Sequence, residues 1–169
     1  MDVYEAVSTL LAIRDYEDKP VSQKSLERIL EAARLTASSR NTQEWDFVVI
    51  QEKETLEQLG QLARTGRYIA DAPLAIAVVV PDKSIGYVDG ARAVQDMMLV
   101  AWADGIGSNW VSNVNNSEVK GLLGIPEERL LLAIIPFGYP VQAVGAGEKD
   151  RKPLAEIVHA EKWGQRYGG

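Results

Sequence analysis

Thr36-Ala37-Ser38-Ser39-Arg40-Asn41-Thr42-Gln43-Glu44-Trp45-Asp46-Phe47-Val48-Val49-Ile50 joins two regular elements through a polar loop. Upstream, Leu26, Ile29, Leu30, Ala33 and Ala37 recur at the spacing of one helical face. Downstream, Trp45 to Ile50 is short, aromatic and β-branched, which predicts a strand covered on both faces. Between them, Ser38, Ser39, Arg40, Asn41, Thr42 and Gln43 place six hydrogen-bonding side chains on a connection anchored at each end. Rigidly framed polar loops of this kind often border small-molecule sites. Ser, Asn and Thr are equally ordinary turn formers, so the loop alone leaves both readings open.

Working outward, the 169 residues suit one domain, taken here as 1–169, able to bury roughly two-thirds of its unfolded surface. With 18 basic against 24 acidic residues the net charge is −6, which argues against a surface that tracks nucleic-acid phosphates but leaves an anionic small ligand open. There is no cysteine, so disulfides, thiol catalysis and cysteine metal sites are excluded. That composition, an acidic start at Asp2 and Glu5, and the lack of an apolar run near the length of a membrane span give the expectation of a cytoplasmic protein with no membrane partner.

Ahead of the loop, Asp2 and Glu5 have the spacing of a capping box, and Val3, Ala6, Val7, Leu10 and Leu11 line a helix face behind it. An extended segment, Ile13-Arg14-Asp15-Tyr16 to Pro20, leads to a second helix capped by Ser22. After Ile50, Leu56, Leu59 and Ala63 mark a third helix with Gly66 as its stop, and Leu74 to Val80 reads as a central strand. Gly90 to Asp104 is the longest helical candidate and is apolar most of the way round, which predicts burial in a core or against another subunit. Gly105 and Gly107 end it, Ser108 to Ser112 suits a short strand, Asn115 or Asn116 caps a further helix closed by Gly124, and Leu130 to Ile135 suits a third buried strand. A glycine-rich connection follows Gly138, then the basic group Lys149, Arg151, Lys152 and an aromatic tail over 153–169, too short to bury itself alone.

The chemistry this permits is narrow. A lone histidine, His159, with no carboxylate cluster at ligand spacing gives no metal site. No serine stands in a G-x-S-x-G elbow, and Gly105-Ile106-Gly107 lacks the third glycine of a dinucleotide fingerprint. What remains is a set of cations and amides without a nucleophile: Arg14, Asn41, Gln43, Lys149, Arg151 and Lys152. Arginine and lysine suit a phosphate, and Asn and Gln can read the edge of a heterocycle, a combination that fits a phosphorylated cofactor.

In order along the chain, these motifs resemble the nitroreductase family of FMN-dependent flavoproteins. The resemblance rests on Ile13-Arg14-Asp15-Tyr16 with Lys19-Pro20-Val21, and on Glu31-Ala32-Ala33-Arg34-Leu35 followed by Ser38, Asn41, Gln43 and Trp45-Asp46-Phe47-Val48-Val49. Asp71-Ala72-Pro73, the run from Leu99 to Gly107, Gly138-Tyr139-Pro140 and Arg151-Lys152-Pro153-Leu154 continue it. It implies an α+β three-layer sandwich, a mixed and mainly antiparallel sheet flanked by helices. It further implies a homodimer with FMN at the interface, in which residues 153–169 of each chain pack on the partner. By position, Arg14, Lys149 and Arg151 would hold the FMN phosphate, Ser38, Asn41 and Gln43 would border the ring and ribityl parts, and Val111 and Ser112 would approach the ring through their backbone. NADH or NADPH would be the electron donor and a small organic acceptor, a nitroaromatic or quinone, the second substrate. Two departures stand out: Leu10, Leu11 and Ala12 replace a cation and a hydroxyl usual at the end of the first helix, and Glu44 stands where proline is usual. They keep open a dimer that has lost FMN and serves in binding or regulation, and a relative that uses another flavin-type cofactor.

Overall fold

The computed structural model describes residues 1–142 and 149–167; the glycine-rich stretch 143–148 and the final 168–169 lie outside the described residues. Four strands form one sheet in the order β1-β2-β4-β3: β1 (Asp46–Ile50), β2 (Leu74–Pro81), β3 (Gly107–Ser108) and β4 (Arg129–Gly138). All three pairings are antiparallel, and among the described residues the parallel component is the bridge between Ala12 and Ser108. The long strands β2 and β4 hold the centre because their side chains are apolar on both faces, as a strand sandwiched between two layers requires.

Alternate residues of β2 feed two cores. Leu74, Ile76, Val78 and Val80 pack with Leu26, Ile29 and Ala33 of α2 (Gln23–Leu35) and with Ala93, Val94, Met97 and Ala101 of α4 (Ser84–Ala103). Ala75, Ala77 and Val79 pack with Leu56 and Leu59 of α3 (Lys53–Leu62), Ile69 of the short 3-10 turn Arg67–Asp71, and Val119 of α5 (Ser117–Leu123). Two helical layers around one sheet are thus written in the period-two pattern of its central strand. Against α4, α2 runs antiparallel, held by the Arg28–Asp104 ion pair at 3.3 Å and by Thr36 Oγ1 donating to Asp96 Oδ2 at 2.6 Å.

Local signals set most boundaries. Asp2 and Glu5 form the predicted capping box on α1 (Val3–Thr9), and Ser22 caps α2 by accepting the Ser25 N–H at 3.1 Å. Asn116 accepts the Val119 N–H at 2.9 Å to open α5, which Gly124 closes at φ 66°. Asn116→Ala is expected to cost about 1 kcal/mol, lowering the melting temperature by roughly 2–4 °C for a chain of this size; calorimetry checks it.

Several expectations are corrected. Strand β1 is not covered on both faces: it is an edge strand paired only with β2, and Asp46 and Val49 are exposed. Ala37 lies beyond α2, which ends at Leu35, and is exposed. Gly66 does not stop α3; the helix ends at Leu62 with Ala63 as its cap, and Gly66 opens the 3-10 turn while packing so close to Val111 that a Cβ would lie 2.4 Å from its Cγ1. The longest helix starts at Ser84 rather than Gly90, and the strand expected over Ser108 to Ser112 is only Gly107–Ser108 followed by a separate bridge from Val111 to Ile134. For the long helix the first of its two readings, burial in the chain's own core, holds at Met97, Ala101 and Trp102, while Leu99 and Val100 are half-buried.

Candidate functional site

Two groups of predicted residues sit on different parts of the scaffold. The first follows α1, where Ile13 N–H donates to the Ser108 carbonyl at 2.9 Å and Tyr16 bridges Pro140 just past the end of β4. Tyr16 is buried, its hydroxyl donates to the Ile13 carbonyl at 2.8 Å, and burial pushes its phenol well above the usual range, so it stays neutral and structural. This fixes the exposed Arg14, whose guanidinium lies 5.8 Å from the centre of the Tyr68 ring. A cleft of about 380 Å³ opens there, lined by Ala12, Ile13, Arg14, Pro140, Val141 and Gln142 among others.

Lys149 reaches the same helix from the far end of the chain, its Nζ donating to the Val7 carbonyl at 2.7 Å. Partial desolvation, then the charge of Arg151, pulls the Lys149 ammonium below its usual range, so the two cations stand side by side. Among the described residues Arg14, Lys149 and Arg151 form no ion pair, although carboxylates outnumber cations in the chain. Arg14 on one segment, and Lys149 beside Arg151 on another, are cations of the kind an anionic group such as phosphate requires. The residues Leu10, Leu11 and Ala12 add only apolar surface and backbone to it.

The second group is the loop that precedes β1. Ser39–Asn41 form a 3-10 turn, yet Arg40, Asn41 and Gln43 have φ of 53°, 57° and 52°, three non-glycine residues in the left-handed region within four positions. Each costs of order 1 kcal/mol or more and persists only where the surroundings over-determine it. The bracing is visible: Ser38 Oγ accepts the Gln43 N–H at 3.0 Å, the Ser39 N–H donates to Asp89 Oδ2 at 3.0 Å, and Gln43 Nε2 donates to the Asn41 carbonyl at 3.3 Å. At the loop's exit Lys83 Nζ grips both Glu44 carboxylate oxygens at 3.0 Å, and Arg129 Nη2 donates to Asp46 at 2.7 Å. Glu44 thus has a structural employment of its own. The sequence reading missed Asp89, Lys83, Arg129 and Tyr68.

Val111 is buried, and its N–H and carbonyl each pair with Ile134, at 3.0 and 3.1 Å, which leaves the carbonyl one further lone pair. Ser112 beside it is exposed and leads to Asn113 at φ 59°. His159 stacks on Trp163 at 4.5 Å, and among the described residues no group of three His, Asp or Glu side chains is placed to hold a metal. No helix among them is long and apolar enough to cross a membrane.

The two groups lie towards opposite ends of the sheet. Strand β2 runs from Leu74, opposite Phe137, to Pro81, opposite Arg129. Tyr16 packs at the Leu74 end against Gly138, whereas the 38–43 loop enters the sheet at Asp46, opposite Val79. Five residue steps of β2, from Leu74 to Val79, separate the two points by about 17 Å.

Comparison with known proteins converges on one family. The model of the nitroreductase family matches residues 11–85 and 69–139. A protein of Archaeoglobus fulgidus, provisionally named NADH dehydrogenase/NAD(P)H nitroreductase, is 31% identical over 93% of this chain and 96% of its own length. The FMN reductase [NAD(P)H] of Bacillus subtilis is 25% identical over 96% of this chain and 74% of its own length. Among solved structures, the FMN-dependent nitroreductase of Clostridium difficile R20291 superposes with a TM-score of 0.84 at 26% identity, covering 95% of this chain and 99% of that one. The order of the motifs, the sandwich around an antiparallel sheet and these matches together place the chain in the nitroreductase family.

Proposed function

We propose that the protein is an FMN-dependent NAD(P)H oxidoreductase whose site is completed by a second copy of the chain, and that it passes electrons to a small organic acceptor such as a nitroaromatic or a quinone. The observation that carries this reading is the division of the ligand set. Cations suited to a phosphate stand towards one end of the sheet and an amide-bearing strained loop towards the other. A two-fold dimer brings unlike ends of two chains together, twice. Apolar surface supports it: Val3, Ala6, Ala32, Leu35, Leu99 and Val100 line a groove of about 370 Å³ between α1, α2 and α4, and in the tail, α6 (Leu154–Ile157) and Trp163, 91% exposed, have little cover from their own chain.

Bound FMN supplies the redox chemistry, taking a hydride from NADH or NADPH and yielding electrons to the acceptor. In this reading Arg14, Lys149 and Arg151 neutralise the phosphate, Ser38 holds the loop closed on Gln43, and Asn41 and Gln43 offer amides to the polar edge of the ring. The exposed Ser112 and Asn113 border the ring from the cation side. No side chain is asked to act as a nucleophile.

A second reading, a dimer that no longer holds FMN, is favoured only by Leu10, Leu11 and Ala12. Adding FMN to the purified protein separates the two. We expect a visible flavin band eluting with protein at about twice the 18.6 kDa chain mass, a rise in melting temperature, and oxidation of NADH or NADPH when an acceptor is present. No band and no thermal shift would reject the enzyme reading.

A further inference from the structure

We propose that Asp89 is a positioning residue for the flavin site: its buried carboxylate pins the 38–43 loop in the left-handed conformation that presents Asn41 and Gln43. The inference rests on the FMN reading above. Asp89 lies on α4, in the second turn after β2, and is only 6% exposed. Its Oδ2 accepts the Ser39 N–H at 3.0 Å, while its Oδ1 is buried without a hydrogen-bond partner and has Arg92 Nη1 at 3.6 Å as its nearest charge. A buried carboxylate so sparsely satisfied is costly, and the contact it keeps falls on the residue immediately ahead of Arg40 and Asn41.

The loop shows why an anchor is needed. Three residues at φ near 55° relax to ordinary conformations unless held, and the Ser38 hydroxyl closes the turn only from within. Asp89 ties the turn to the long helix, and the Glu44–Lys83 pair ties its exit to the start of that helix. Asp89 itself touches no part of the cation cluster, so its loss acts on what the loop presents and not on the phosphate.

Two substitutions remove the same hydrogen bond from opposite sides. Asp89→Ala deletes the acceptor. Ser39→Pro deletes the donor while leaving the carboxylate, and the backbone tolerates it because Ser38, at φ −115° and ψ 158°, already has the extended conformation that precedes proline. Each is expected to weaken FMN and riboflavin by the same factor, roughly tenfold or more, and to change the visible circular dichroism of bound flavin. Asp89→Asn keeps an acceptor and should restore most of the affinity. Asn116→Ala, which lowers stability elsewhere, should leave affinity and spectrum unchanged. Unaltered binding in Asp89→Ala or Ser39→Pro, an Asp89→Asn variant as weak as Asp89→Ala, or a loss confined to FMN each overturns the proposal. Amide exchange on flavin-free protein tests the pin without the cofactor: the Gln43 N–H should be protected in the wild type and exposed in both variants. If the wild type takes up no flavin but shows that protection, the FMN reading fails and the pin stands; an unprotected wild-type Gln43 overturns the pin itself.

Discussion

A mixture of two variants, each unable to retain flavin alone, is expected to recover about a quarter of the wild-type sites. One variant carries Arg14→Ala, Lys149→Ala and Arg151→Ala; the other carries Asn41→Ala and Gln43→Ala. If each site takes its cations from one chain and its amide loop from the other, a mixed dimer holds one site with both defects and one with neither. Random exchange makes half of the dimers mixed, and one site in two of those is whole. The rise from nearly no bound flavin to about a quarter is read from the visible absorbance per chain after co-expression or refolding together. A site built within one chain recovers nothing on mixing, so mixed dimers that form and stay colourless defeat the composite arrangement. The structural warrant is the placement of the two groups at different points along β2, Leu74 and Val79, about 17 Å apart at about 3.3 Å per residue.

Arg14→Ala is expected to weaken FMN by roughly ten- to a hundredfold, the value of a charge-assisted hydrogen bond of about 1.5–3 kcal/mol. Riboflavin, which lacks the phosphate, should bind wild type and variant alike. Arg14 suits the test because it is exposed, forms no ion pair among the described residues, and meets Tyr68 only at 5.8 Å. An exposed cation–π contact is worth about 0.5–1 kcal/mol, so the flavin-free protein should melt within a few degrees of wild type. Leu10, Leu11 and Ala12 add no cation to its segment, and Lys19, the other cation there, lies over the Tyr139 ring at 3.8 Å. Equal loss of FMN and riboflavin, or no loss of FMN, means that Arg14 does not meet the phosphate.

What could be read from the sequence was local. The Asp2–Glu5 box, the Ser22 and Asn116 caps, the Gly105 and Gly124 stops and the apolar run of β2 each depend on a few neighbouring residues, and each stands where the spacing put it. The composition of the 38–43 loop was equally visible, but its three positive φ values were not, because nothing in Arg40, Asn41 or Gln43 requires that conformation without the surroundings that impose it. Strand β1 was misread because Trp45 to Ile50 is apolar enough for a covered strand, and only the pairing order decides which strands are edges. Asp89 escaped for a related reason: with the helix taken to begin at Gly90 and not Ser84, the residue fell outside it. The separation of the two ligand groups likewise follows from register, which no motif encodes.

The edges of the sheet also limit how copies can associate. On one side β3 offers two residues, and Ala12 already bridges to one of them; on the other, β1 offers five, with Asp46 ion-paired to Arg129 at its entrance. Short, charged edges of this kind discourage strand-to-strand joining. A continuous eight-stranded sheet across two chains is therefore disfavoured, and so is end-to-end growth into filaments. The two-fold dimer proposed above is accordingly left to helical surfaces and tails.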